Sequence, residues 1–299
     1  MWLALAFLSA LLLGAYDVSK KISLNGNAVI PVLFFSVVCS SVILSPFLLL
    51  SYIEPGLLKG TLFYVPPVDA STHLLLFIKA IIVLSSWLFA YFAMKHLPIT
   101  IASPVKATQP VWVVLGGVLV FGEKLNVYQW LGVGVTLLSF YLFSVVGKKE
   151  GISVRSNKWI WFIVLATLTG ALSGLYDKYL LGHIDHNAVQ VYYTLYQCLL
   201  MGLITLFLWY PTRDKTTPFQ FRWAIAGISI LLVAADFAYF YALSLPGSMI
   251  SIISTIRRSG VVVPFIVGAL FFKDKNVKLK MIDLLGVLLG MIFLYLGSR

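Results

Sequence analysis

An all-helical membrane fold, with ten transmembrane helices arranged as two inverted five-helix repeats, is what this sequence predicts, and three observations predict it. The 299 residues are 60% hydrophobic and 11% charged, against roughly 25% charged in soluble domains. With a mean hydropathy of +0.96, the apolar residues fall in blocks of about 20, the length that crosses roughly 30 Å of hydrocarbon. The second half of the chain also repeats landmarks of the first.

The elements follow in order. Met1–Ala15 has an apolar run ending in Gly14-Ala15 as a signal peptide does, but it lacks a basic leading segment, and Trp2–Ser19 is read as an uncleaved first span. Asn25-Gly26-Asn27 turns the chain into Ala28–Tyr52. A longer connection with Pro55-Gly56 and Pro66-Pro67 leads to Leu74–Met94, and Leu97-Pro98 leads to Ile99–Phe121, before Tyr128–Val146 closes a first repeat over residues 1–147. Residues 148–158 are charge-dense and read as a linker. The second repeat, 159–299, holds Trp159–Leu181, Ala188–Tyr210, Trp223–Leu243, Ser248–Phe272 and Leu279–Leu296. A membrane β-barrel needs short alternating segments, and continuous runs such as Trp223–Ala235 do not alternate.

Internal repetition fixes the domain organisation. Gly14-Ala15-Tyr16-Asp17 and Asn27-Ala28-Val29 align without a gap on Gly174-Leu175-Tyr176-Asp177 and Asn187-Ala188-Val189, 160 positions later. Phe89-Ala90-Tyr91-Phe92 and Leu97-Pro98 recur 148 positions later as Phe237-Ala238-Tyr239-Phe240 and Leu245-Pro246. Five spans are an odd number, so the second copy enters the membrane from the opposite side. Repeats related in that way are typical of secondary transporters, with substrate near the midplane between them.

The balance of 22 Lys+Arg against 11 Asp+Glu gives +11, yet most basic residues sit in connections, where they act as topogenic charges rather than a nucleic-acid surface. Fourteen fall on odd-numbered connections, among them Lys20, Lys21, Lys95, Lys148, Arg222 and Lys280, against Lys59, Lys124 and Arg299 on the other face. This places both termini outside. Cys39 and Cys198 lie inside apolar blocks and read as packing residues.

Ionisable groups inside spans are functional candidates. Lys106 lies eight residues past Pro98, and Arg257 with Arg258 lie eleven and twelve past Pro246, which puts all three near the bilayer centre at about 1.5 Å per residue. Anchoring on Glu123 and Asp274, 151 positions apart, makes Lys106 and Arg257 repeat mates. Facing each other across a two-fold axis they form an anion clamp, Arg257 as a planar fork and Lys106 as a point charge. The alternative is that they neutralise acids of neighbouring spans, Asp236 first among them. If transport is proton-coupled, Asp236 is the candidate for a buried titrating group; more simply, it is the counter-ion of Arg258. Asp17 and Asp177, themselves mates, are candidates for gating or proton coupling, or pair with Lys20, Lys21 and Lys178. Gln190, Tyr193 and Gln197 share one helix face and line a pathway or bond between helices. The mates Tyr91 and Tyr239 are candidates to flank a substrate ring. Lys79 is read as lying near a span end with its ammonium in the headgroups. Gly132 with Gly134, and Gly286 with Gly290, provide small faces for packing within the chain or in a homodimer.

Pro104–Glu123 (PVKATQPVWVVLGGVLVFGE) with Gln129-Trp130-Leu131-Gly132, and Ser251–Lys275 with Leu285-Gly286 in the second copy, resemble the ten-span EamA-type proteins of the drug/metabolite transporter superfamily. The charged positions are more similar to its triose-phosphate and nucleotide-sugar branch, through Lys106-Ala107-Thr108-Gln109-Pro110 and Arg257-Arg258. The resemblance implies that Lys106, Arg257 and Arg258 bind an anionic group. Ala102-Ser103 and Arg257 depart from that branch's polar pair and lysine. The family's usual orientation, with both termini in the cytoplasm, is opposite to the charge count. The expectation is a secondary transporter in the plasma membrane, in a bacterium the cytoplasmic membrane. It would move a small anionic or zwitterionic metabolite by alternating access as an antiporter, without a cofactor or a metal. Its rivals are a proton-coupled exporter of amino acids or neutral metabolites and, more remotely, a membrane enzyme acting on a lipid-linked phosphate. Against the enzyme, the sequence carries no zinc-binding HExxH pattern or nucleotide loop.

Overall fold

The computed structural model describes residues 2–121, 125–149, 157–245, 250–272 and 276–297. Every regular element among them is helical. In the first half these are α1 (Trp2–Leu24), α2 (Val29–Ile53), the short α3 (Pro55–Leu58), α4 (Ala70–His96), α5 (Ile99–Ala107), α6 (Gln109–Phe121) and α7 (Val127–Lys149). In the second they are α8 (Lys158–Leu181), α9 (His186–Ile204, continued by a π-helical turn to Trp209), α10 (Trp223–Ser244), α11 (Ile250–Ser259), α12 (Val262–Leu270) and α13 (Val277–Gly297). Seven of these runs are long and apolar enough to cross a membrane: α1, α2, α4, α8, α9 with its continuation, α10 and α13. Apolar side chains such as Leu11, Ile53, Phe207, Trp223 and Ile282 lie exposed on the outside, as they do where lipid is the solvent.

The continuous spans expected over Ile99–Phe121 and Ser248–Phe272 are each broken. Pro110 has no N–H to give the Lys106 carbonyl, and Pro264 has none to give that of Gly260. The chain tightens instead, with Thr108 N–H on the Val105 carbonyl at 3.2 Å and Val261 N–H on the Arg258 carbonyl at 3.2 Å. α5 therefore ends just after Lys106, and α11 just after Arg257 and Arg258. Glu123, Asp274 and Pro246, used to align the repeats, lie outside the described residues.

Helices pack mainly across the two halves. α1 lies along α10, α4 along α8, α2 along α9 and α7 along α13. The C-terminal ends of α1 and α4 meet, where Lys21 Nζ donates to the Met94 and Leu97 carbonyls at 2.8 and 2.6 Å. The N-terminal ends of α8 and α10 lie at the same place: His96 stacks on Trp159, and Arg222 donates to the Ile22 carbonyl at 2.8 Å. α1 and α4 thus run one way, and α8 and α10 the other. At the start of α4, the Ser71 hydroxyl and the Thr72 amide hold the Asp69 carboxyl down, to about 2. The depressed value means that this cap's contribution is present above the ordinary carboxylate range and lost as pH falls toward 2.

Glycines set the closest approaches. A Cβ on Gly132 would lie 2.8 Å from the Gly290 carbonyl oxygen, and one on Gly290 2.9 Å from that of Gly132, so these two glycines meet within the chain, whereas Gly134 has nothing within 4 Å. The mates Gly14 and Gly174 differ. A Cβ on Gly14 would meet Val263 at 2.6 Å and the Gly260 carbonyl at 2.7 Å, whereas on Gly174 its nearest neighbour is Val113 at 3.9 Å. Gly260 itself abuts the Ala10 backbone, and backbone cannot swing aside. Gly260→Ala is therefore expected to destabilise by about 1–3 kcal/mol or more, measurable as a lower unfolding temperature, while Gly174→Ala is expected to be close to neutral.

Candidate functional site

The mid-span ionisable residues converge between the halves. A cavity of about 930 Å³, counting its mouth, has Lys20, Lys79, Lys106, Arg257 and Arg258 in its walls together with Asp177 and Asp236. Asp17 lines an adjoining recess with Lys106, Arg257 and Arg258. The helix breaks deliver the central cations. Lys106 stands in the last turn of α5, and Arg257 and Arg258 in the last turn of α11, where unpaired carbonyls make the helix end negative and favour positive charge.

Four ion pairs on three carboxylates order the cluster. Asp17 Oδ1 accepts from Lys20 at 2.7 Å and from Lys106 at 3.1 Å. Lys79 pairs with Asp177, and Arg257 with Asp236. The second oxygen of Asp236 accepts from the Tyr193 hydroxyl at 2.9 Å. Aromatic faces surround the cations. Arg257 stacks over Tyr239 at 4.1 Å, Lys79 lies 4.7 Å from the Tyr193 ring centre, and Lys20 lies 4.3 Å from that of Tyr16, each a contact that strengthens away from water. Arg258 forms no hydrogen bond or ion pair with a carboxylate among the described residues. Five cations thus face three carboxylates, an excess of two positive charges in a low-dielectric interior.

Several expectations need correcting. Lys106 and Arg257 share the cavity, and each pairs with a carboxylate of a neighbouring helix, Lys106 with Asp17 and Arg257 with Asp236, which is the alternative the sequence offered beside the clamp. Asp236 is the counter-ion of Arg257, not of Arg258: adjacent residues on a helix differ by about 100° in direction, and it is Arg257 that faces α10. Lys79 does not reach the headgroups. α4 starts at Ala70 behind the Asp69 cap, so Lys79 is about 14 Å along the helix axis, is 2% exposed and is drawn in by Asp177. Lys20 and Lys280, counted above as connection charges, are 1% and 0% exposed. α1 runs on to Leu24 past the expected end at Ser19, which carries Lys20 into the protein beside Asp17.

Of the aromatic and amide candidates, Tyr193 and Tyr239 line the cavity. Tyr91 is 1% exposed and packs in the core behind Lys20. Gln197 lines a separate small chamber that shares Tyr193 and Asp236 with the main cavity. Lys20 and Gln109 were missed as site residues. Lys20 was marked by its i, i+3 spacing from Asp17. Gln109, which donates to the Gly170 carbonyl at 2.8 Å, had only its neighbour Pro110 as a sign. No cluster of metal-ligating side chains occurs among the described residues.

Comparison with known proteins bears on the family of the first half and on the fold. Residues 1–145 match the model of the EamA-like transporter family. A solved structure described only as "Crystal structure of protein" is similar over 96% of this chain and 97% of that one, with a TM-score of 0.64 at 12% identity, a likeness of fold. No curated protein matches the chain.

Proposed function

Taking the EamA-like match of the first half as premise, we propose that this protein is a secondary transporter that exchanges small metabolite anions by alternating access between two inverted five-span repeats. The observation that carries the anionic substrate is the charge imbalance of the cavity among the described residues: five cations, three carboxylates and, in Arg258, an arginine with no carboxylate of its own among them. A site with unbalanced positive charge is costly to carry unloaded across the bilayer, which favours exchange over one-way transport. Inversion is supported by helix direction, since α8 is the mate of α1 and runs against it. Pairing supports it too: exchanging the halves turns α1 on α10 into α8 on α4, and leaves α2 on α9 and α7 on α13 unchanged.

In this reading Arg258 meets the anion first and offers a planar pair of donors to a phosphate or carboxylate. Lys106 joins it at little cost, because Lys20 stays on Asp17 at 2.7 Å and keeps that carboxylate neutralised. Arg257, stacked on Tyr239, completes the clamp from the symmetry-related side. Rocking of one repeat against the other then exposes the loaded site to the opposite face.

The test is a thermal-shift screen of the purified, detergent-solubilised protein against inorganic phosphate, phosphorylated sugars, nucleotide sugars, dicarboxylates, amino acids and neutral amphiphiles. An anion at about 100 times its dissociation constant is expected to add about 2.7 kcal/mol to the native state, with no response to the neutral compounds. Stabilisation by amino acids or neutral compounds alone would overturn the anionic reading and leave the proton-coupled exporter, with Asp17, Asp177 or Asp236 carrying the proton.

A further inference from the structure

A second chamber adjoins the ionic cavity where α9 faces α2, α4 and α10. Trp87, Tyr193, Leu232 and Asp236 stand in the walls of both. Gln197 also lines it. That side chain is 0% exposed, and neither its amide nitrogen nor its amide oxygen has a hydrogen-bond partner among the described residues. The two hydroxyls there are already committed as donors, and Gln190 has one of its two amide N–H groups in use. Ser40 Oγ donates to the Ser36 carbonyl at 3.0 Å, Thr194 Oγ1 to the Gln190 carbonyl at 2.7 Å, and Gln190 Nε2 to the Val233 carbonyl at 3.0 Å. None of them turns a proton toward Gln197, while the two hydroxyl oxygens keep lone pairs that can accept.

A buried amide with both ends unpaired is among the more costly arrangements in a protein interior, and immobilising one water costs less than leaving such groups bare. The chamber has room for about one water-sized oxygen. Its walls supply the two to four polar partners that a buried water needs: the Gln197 amide, the Ser40 and Thr194 hydroxyl oxygens and the Asp236 carboxylate.

We infer that this chamber is a binding site for a single water molecule, held by the Gln197 amide beside the Asp236 carboxylate. Its use follows from the pairing of Asp236. That carboxylate has two protein partners, the Tyr193 hydroxyl and Arg257. When an anion draws Arg257 away, Tyr193 alone cannot satisfy a buried charge. The water provides the replacement donor, so that Arg257 is released without stranding the carboxylate. The water site rests on the chamber alone, whereas its part in freeing Arg257 rests on the anion-exchange reading.

The two parts are tested separately. An experimental structure of the ligand-free protein at a resolution that shows ordered water is expected to have an oxygen at about 2.7–3.2 Å from Gln197 Nε2 or Oε1. A dry chamber, or a side chain of this protein filling that position, overturns the site. For the role, Gln197→Leu fills the chamber with apolar atoms. The variant is expected to need about tenfold more inorganic phosphate than wild type for the same thermal shift, the equivalent of about 1.4 kcal/mol, with its ligand-free unfolding temperature unchanged or higher. Gln197→Asn, which keeps an amide, is expected to recover part of the response. Equal responses in wild type and Gln197→Leu overturn the role. If phosphate fails to stabilise wild type as well, the anion reading has failed for that probe and the density alone decides the water site.

Discussion

Replacing Lys106 by alanine is expected to raise the anion concentration needed for stabilisation and for counterflow in proteoliposomes about ten- to hundredfold while leaving the ligand-free unfolding temperature close to wild type. Two features separate these outcomes. Lys106 is the more exposed of the two lysines on Asp17, at 18% against 1%, and Lys20 remains on the carboxylate after the substitution, so no buried charge is left alone. The loss then falls on the substrate. A hydrogen bond to a charged group contributes about 1.5–3 kcal/mol, so affinity falls about ten- to hundredfold. Normal counterflow by Lys106→Ala would sink the clamp, and a large loss of ligand-free stability would make the residue structural.

Asp177→Asn is expected to have the opposite profile, with the largest loss of stability among the cluster's substitutions. Lys79 has this one carboxylate among the described residues, is 2% exposed and is walled by Tyr193 and Phe240. Breaking a buried pair from one side costs about 3–5 kcal/mol because the remaining charge is stranded. Adding Lys79→Met removes that charge and restores most of the loss, so the two substitutions are strongly non-additive. Denaturation of the two single variants and the double variant measures the coupling. Additive losses would show that the pair is not formed in the native state.

The helical, membrane-crossing character of the chain was legible in the sequence because hydrophobic block length is carried by residues close together, whereas a count of ten spans was not, since seven runs among the described residues are long and apolar enough to cross. The candidate site was legible too, since a lysine, two arginines and three aspartates inside apolar blocks announce themselves by cost alone. What was not legible is who pairs with whom. The reach of Asp236 to Arg257 rather than Arg258 depends on how α10 and α11 are turned toward each other, and no local pattern encodes that turn. The burial of Lys20 and Lys79 depended on where α1 ends and where α4 begins, and apolar blocks alone place such ends poorly. The breaks after Lys106 and Arg258 had a sign in Pro110 and Pro264, but proline inside a span also occurs without a break, as Pro46 does within α2.

Gly14 and Gly174 occupy matching places in the two copies, yet one is pressed hard against the start of α12 and the other stands clear of α6. The same asymmetry appears in the charges: Asp17 holds the lysine of its own half, whereas Asp177 holds Lys79 and leaves Arg257 to Asp236. In the proposed cycle the copies trade these settings, Gly174 closing on its neighbour as Gly14 opens, and Arg257 passing to Asp177 as Lys106 quits Asp17. On that proposal one structure of the chain holds two settings of the same glycine contact, one in each half, while the ion pairs follow only in part, since Gly227 and Leu88 stand at the mates of Lys79 and Asp236.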